Sequence, residues 1–177
     1  LAPEGKLRVS IKAVGDFTAR IAELKPGDRV YVDGPYGAFN TNDKRTQKGL
    51  VLLAGGIGLA PMMSILGTLA DRNDKRPVYL FYGDLNEETA LYQEEFAALQ
   101  GRMNLKLIQV LEKPHNPDYP FKGYITKDLM ASQLPADYKD LFYFICGPAP
   151  MLNAMDRNLA ALEVPPSQIH VERYEMA

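Results

Sequence analysis

The chain carries a single cysteine, Cys146. No disulfide can form within it, and a lone thiol fits a reducing, cytoplasmic setting. The same count excludes an iron–sulfur centre built inside the chain, which takes about four sulfur ligands. Neither charge sign dominates: the net charge is −2 and the pI about 5.7, so there is no basic footprint for nucleic acid. No N-terminal stretch resembles a signal peptide, no tract repeats, and metal-ligating residue types cluster nowhere. The G-x-S-x-G signature of an α/β-hydrolase is missing, and a cysteine hydrolase lacks a placed base. What is present is 177 residues, 46% hydrophobic and 24% charged, enough for one domain with a sizeable core. Leu1 stands where a methionine would begin a chain, ahead of what reads as mid-domain sequence. A fragment of a longer polypeptide is expected.

The stretch from Lys48 to Leu66 organises the rest. Leu50 to Ala54 is a continuous apolar run, as in a strand buried on both faces. Gly55, Gly56 and Gly58 follow, and Pro61 heads a helical run in a position that suits proline. Glycines allow close backbone approach, and a helix start welcomes an anion such as a pyrophosphate. The spacing G-x-G-x-x-P differs from the dinucleotide fingerprint in its last position. Two other readings share the stretch. Gly49 to Ala70 is free of charge and long enough to cross a bilayer, although five glycines and a proline favour strand, turn and helix. A tight turn that binds nothing is the other.

Taken in order, Lys6 to Val14 alternates apolar and polar residues and predicts a half-buried strand. A short helix is expected over Ala19 to Leu24 with Thr18 as its cap, then a turn at residues 25–28 and a second strand over Arg29 to Asp33. Two strands do not make an independent core. Residues 1–40 therefore read as the remnant of a β-domain, and the polar residues 41–48 as a linker. Residues 49–177 alternate strand and helix. Strands are predicted at Leu50–Ala54, Val78–Gly83, Leu105–Leu111, Leu141–Cys146 and Ile169–Tyr174. Helices are predicted at Pro61–Arg72, Glu87–Gln100, Lys127–Ala131 and Ala149–Leu162, with a proline-rich loop at residues 112–122. This pattern implies an α/β fold, a five-stranded doubly wound parallel sheet of order 3-2-1-4-5. Ligands bind such sheets outside the carboxyl ends of the strands where the order reverses. Gly55 and Cys146 end the two strands that flank that point.

Cys146 by itself reads more simply as a small buried hydrophobe. His170 reads as a sheet residue and His115 as a solvated loop residue. The chain nevertheless resembles a known family. Gly55 to Pro61, Tyr82-Gly83, residues 91–95 (LYQEE) and residues 146–151 (CGPAPM) together resemble the ferredoxin–NADP reductase superfamily, in its order and at its spacing. Residues 11–18 and 33–37 look like the second half of that family's flavin-binding barrel, in wording similar to the ferric reductase and NADPH oxidase branch.

The resemblance implies an NAD(P)H-dependent flavoprotein oxidoreductase that passes a hydride to FAD and electrons to an acceptor. It implies that Gly15, Asp16, Phe17 and Thr18 face the FAD pyrophosphate. Gly55, Gly56, Gly58 and Pro61 would cradle the nicotinamide dinucleotide, with Gly147, Pro148 and Met151 in the turn opposite. Cys146 would lie beside the reacting carbon of the nicotinamide, Glu172 would hydrogen-bond nearby, and Tyr174 would approach the isoalloxazine. The acceptor would be a separate protein or a haem-containing membrane domain, placing the whole on the cytoplasmic face of a membrane in the second case. A non-catalytic nucleotide-binding or regulatory module is the rival reading. Gly83 and Asp84 end the second strand among acids without a base, which favours NADH over NADPH. The family's Arg-x-Tyr-Ser or His-Pro-Phe-Ser flavin motif does not occur, so weak retention of FAD is expected.

Overall fold

Leu50, Leu52 and Ala54 point to one side of a strand while Val51 and Leu53 point to the other, and all five are fully buried. Both faces of that strand are therefore covered, which is why its sequence does not alternate with polar residues. In the computed structural model, which describes residues 7–34, 36–37 and 39–173, this strand is β1 (Leu50–Gly55). It lies at the centre of a sheet with β2 (Val78–Asp84), β3 (Leu105–Leu111), β4 (Phe142–Cys146) and β5 (Ile169–Glu172). The order is β3-β2-β1-β4-β5 and every pairing is parallel, as expected.

Helices cover the two faces. On one side α2 (Leu59–Asp71) and α3 (Gln93–Gln100) pack Met62, Leu66, Leu69, Phe96 and Leu99 against Leu50, Leu52, Leu80 and Phe144. On the other, α4 (Lys127–Gln133) and α5 (Ala149–Ala161) bring Met130, Leu152, Met155 and Leu159 onto Val51, Leu53, Phe81 and Ile145. Each fully buried aliphatic side chain contributes about 1.5–3 kcal/mol relative to exposure, so these two layers hold the sheet. The charge-free stretch from Gly49 to Ala70 resolves into β1, a 3-10 turn (Gly56–Gly58) and α2. Among the described residues no helix is long and apolar enough to cross a membrane.

The chain separates into two compact units, residues 1–38 and residues 39–177. In the first, the expected strands at Lys6–Val14 and Arg29–Asp33 are not formed among the described residues. Alternation supplies a face, but a strand also needs a partner to pair with. Among the described residues neither segment is laddered to another strand, and Leu7, Val9, Val30 and Val32 are more than half exposed. The helix α1 spans Asp16–Arg20 and starts three residues earlier than expected. Thr18 is its third residue, not its cap. Its Oγ1 accepts from Val14 N at 3.0 Å and Gly15 N at 3.1 Å, which closes the turn from inside the helix.

In the second unit the polar residues 41–48 are fastened along the amino-terminal edge of the sheet. Asp43 caps a 3-10 turn at Lys44–Thr46. Arg45 donates to Ser167 O at 2.7 Å and lies over the Phe142 ring, and Arg76 donates to Thr46 O at 2.9 Å. The opposite, carboxyl-terminal edge is left for the site.

The helix expected over Glu87–Gln100 forms only from Gln93. Asn86 Oδ1 accepts from Glu88 N and Thr89 N, and Tyr92 adopts φ +62°, so local side-chain bonds hold residues 86–92 as a turn. Asn and Thr compete with a helix in this way. Pro61 lies in the first turn of α2, two residues inside its start, where an N–H would still lack an intrahelical partner.

Candidate functional site

At the carboxyl-terminal edge the register lines up Glu172 of β5, Cys146 of β4, Ala54 of β1 and Tyr82 of β2 across adjacent strands. Neighbouring strands lie about 4.8 Å apart. Cys146 and Glu172, distant in sequence, are therefore side by side, one and two strands from the glycine turn. The next row pairs Gly55 with Gly83. The order of strands reverses between β1 and β4, so these rows border the crevice that parallel sheets use for ligands.

Two turns form the floor of that crevice. Gly58 packs so closely on the turn after β4 that a Cβ there would lie 2.5 Å from the Cys146 carbonyl carbon and 2.8 Å from Gly147 N. A Cβ at Gly55 would overlap the Met151 sulfur and come within 3.0 Å of Pro148. Gly55, Gly58 and Gly147 thus pack against each other and against Pro148 and Met151, and the small size of the three glycines is explained by protein packing. Gly56 differs. Its φ is +50°, and a Cβ there would have open space around it. Its bare backbone begins the 3-10 turn that leads into α2; the Leu59 N–H at the head of α2 already donates back to Gly56 O, so the orphan N–H groups of this helix start are those of the turn Gly56–Gly58. This donor set suits a pyrophosphate, so the residues present fit a dinucleotide. The Cys146 side chain itself is fully buried in the layer beneath α2.

The end of β2 is a network. Asp84 Oδ2 accepts from the Tyr82 hydroxyl, and Oδ1 accepts from Leu85 N at 2.7 Å and from Thr89 Oγ1 at 2.6 Å. The same Tyr82 hydroxyl accepts from Leu91 N at 3.1 Å. Burial first, and the hydrogen bond to Asp84 second, push the Tyr82 phenol well above its ordinary value. Glu87, read from sequence as the first turn of a helix, instead reaches the loop after β3. Its carboxylate accepts from His115 N at 2.9 Å and Asn116 N at 3.3 Å. These bonds hold the Glu87 carboxyl below its usual range. The cue for this turn was Asn86 three residues before Thr89, a pairing that favours local capping over helix.

Gly15, Asp16 and Phe17 are exposed at the start of α1, and a Cβ at Gly15 would meet nothing within 4 Å. They belong to the first unit. Tyr174 lies outside the described residues. His170 stacks on Phe144 at 5.9 Å and meets Phe39 edge-on, consistent with a sheet residue. Among the described residues no group of three or more His, Cys, Asp or Glu could hold a metal ion.

A doubly wound parallel sheet with an open glycine backbone at its switch point defines a nucleotide-binding α/β domain. Residues 52–157 match the oxidoreductase NAD-binding domain family, and the chain belongs to it, within the ferredoxin–NADP reductase-like superfamily. NADH-cytochrome b5 reductase 1 of Candida glabrata is 34% identical over 155 residues, covering 85% of this chain and 54% of that protein. The toluate 1,2-dioxygenase electron transfer component of Pseudomonas putida is 31% identical over 151 residues, covering 85% of this chain and 44% of that protein. Among solved structures, the cytochrome b5 reductase domain of Ulva prolifera nitrate reductase superposes with a TM-score of 0.77 at 26% identity. That match covers 89% of this chain and 64% of the other. The chain spans about half the length of the curated relatives it matches.

Proposed function

We propose that this chain is the coenzyme-binding, electron-input part of an NAD(P)H-dependent flavoprotein reductase. The observation that carries the reading is the open, positive-φ backbone of Gly56 at the start of α2, set where the strand order reverses. The chemistry is supplied by the cofactors, a hydride from the reduced dinucleotide to FAD and single electrons onward.

The chain's own residues bind and orient. Gly56 and the α2 start receive the dinucleotide's pyrophosphate, while Gly55 and Gly58 let the two turns lie close enough to form one floor. Pro61 ends no hydrogen bond there. On the β4 side, Cys146 and Gly147 set the height of the floor beneath the nicotinamide half, with Pro148 and Met151 packed behind. Glu172, one strand further, supplies a carboxylate beside it. On the β2 side, Gly83 and Asp84 take the other nucleoside half. Three acids in residues 84–88 and no base favour the free ribose diol of NADH.

The first unit carries the FAD pyrophosphate on the N–H groups of Asp16, Phe17 and Thr18. The N–H groups of Val14 and Gly15 are already taken by Thr18. Tyr174 is the aromatic that approaches the isoalloxazine. Residues 1–38 belong to the flavin domain and residues 39–177 to the dinucleotide domain.

The acceptor is a protein. Relatives named for cytochrome b5 and for a dioxygenase support a separate acceptor chain. The likeness of residues 11–18 and 33–37 to the ferric reductase and NADPH oxidase branch supports a haem-containing membrane domain, with this part on its cytoplasmic face. Reduction of a dye acceptor by NADH, with FAD added, tests the reading. Dinucleotide binding without any dye reduction would return the chain to a regulatory module.

A further inference from the structure

The proline-rich loop after β3 is the feature that the proposed reaction leaves without a task. Its sequence, residues 112–122, has three prolines and reads as irregular, yet it is tied at several points to the turn that follows β2. Glu112 N donates to Asp84 O at 2.9 Å, and Lys113 N donates to Leu85 O at 2.8 Å. The Glu87 carboxylate then receives His115 N and Asn116 N, one on each oxygen. His115 Nδ1 lies 3.8 Å from Glu87. Within the loop Asn116 Oδ1 accepts from Asp118 N at 2.9 Å, so the segment that Glu87 grips is itself closed into a turn.

Both ends of this clasp stand at the carboxyl edge of the sheet. Asp84 pairs with Leu111 in the last row of β2 and β3. A dinucleotide whose pyrophosphate sits at the end of β1 sends one half toward β4 and the other over β2 and β3. Two strand spacings amount to about 10 Å, within reach of an extended nucleoside. Loops at such an edge are held by few apolar contacts and open at low free energy unless something fastens them. A carboxylate that accepts two backbone N–H groups fastens two orphan donors at once, and ionic hydrogen bonds are among the stronger ones.

We infer that Glu87 is a positioning residue that clamps the 113–118 loop as a fixed wall for the adenosine half of the coenzyme. The inference rests on the reading of the chain as an NADH-binding module. It assigns Glu87 no contact with the coenzyme. Its effect passes through the loop, and it falls on one half of the dinucleotide only.

The test uses the full chain and the variants Glu87→Ala and Glu87→Gln. Affinities for NADH and ADP-ribose, which carry the adenosine half, are compared with that for reduced nicotinamide mononucleotide, which lacks it. Glu87→Ala is expected to weaken NADH and ADP-ribose about tenfold, roughly 1.4 kcal/mol, and to leave the mononucleotide unchanged. Glu87→Gln keeps one acceptor oxygen and is expected to fall between the two. Thermal unfolding of each variant shows that it is folded. Equal weakening of all three ligands would make Glu87 a general structural residue and overturn the inference, as would no weakening of any. Failure of the unmodified chain to bind NADH or ADP-ribose would instead defeat the underlying reading, and the clamp with it.

Discussion

Replacing Gly58 by alanine asks whether two turns really share one floor. The added Cβ would fall 2.5 Å from the Cys146 carbonyl carbon and 2.8 Å from Gly147 N, and both are backbone atoms that cannot rotate away. Comfortable non-bonded contact between carbons begins at about 3.5 Å, so the turns must part by roughly 1 Å. Overpacking of this kind costs about 1–3 kcal/mol. For a chain of this length each kcal/mol lowers the melting temperature by about 2–4 °C. A drop of roughly 4–8 °C is therefore expected for a cost near 2 kcal/mol. The displaced floor is also expected to weaken NADH binding.

Gly56 supplies the contrast. A side chain there meets open space, and the position needs φ of +50°. Asparagine tolerates that conformation better than other residues with a side chain. Gly56→Asn is expected to melt close to the unmodified chain and still lose NADH affinity, because its side chain stands where the pyrophosphate is proposed to lie. Circular dichroism melts and calorimetric titration with NADH read both variants. Gly58→Ala melting like the unmodified chain would refute the close packing. Gly56→Asn binding NADH normally would refute the cradle.

Further outcomes can be checked separately. The kcat/KM for NADH is expected to exceed that for NADPH, and the reverse order would remove the argument from the acids at residues 84–88. Cys146→Ala in a flavin-loaded full-length protein is expected to slow single-turnover flavin reduction while oxidised dinucleotide binding stays near normal. An unchanged rate would assign the buried thiol to packing alone. Alkali should unfold the chain early. Burial holds the Tyr82 and Tyr143 phenols neutral above their ordinary range, whereas in the unfolded chain they ionise near pH 10. The stability they contribute is complete below about pH 10 and is lost as pH rises further, and Tyr82→Phe should flatten that decline in melting temperature.

The sheet was legible because both its faces are buried. Runs such as Leu50–Ala54 and Phe142–Cys146 are long, apolar and separated by helix-length spacers, and their order follows from the alternation. Boundaries slipped where side chains compete with backbone. Asn86, Thr89 and Tyr92 turn the start of an expected helix into the turn that carries Glu87, and Thr18 closes α1 from a position that looked like its cap. The first forty residues misled for another reason. Alternation records which face a strand would bury, but pairing depends on a partner strand, and the pattern at Leu7, Val9 and Ile11 says nothing about where that partner lies.

The glycines divide along a different line. Gly55, Gly56 and Gly58 read alike in sequence as one anion cradle. In space, Gly55 and Gly58 are small because protein packs against them, and only Gly56 of the three turns open backbone outward. A motif of three glycines therefore contains two separate demands, one for joining β1 to β4 and one for admitting a ligand. The first holds whether or not a coenzyme ever binds. The case for binding thus rests on Gly56 and the α2 start, and substitutions at Gly58 by themselves cannot decide it.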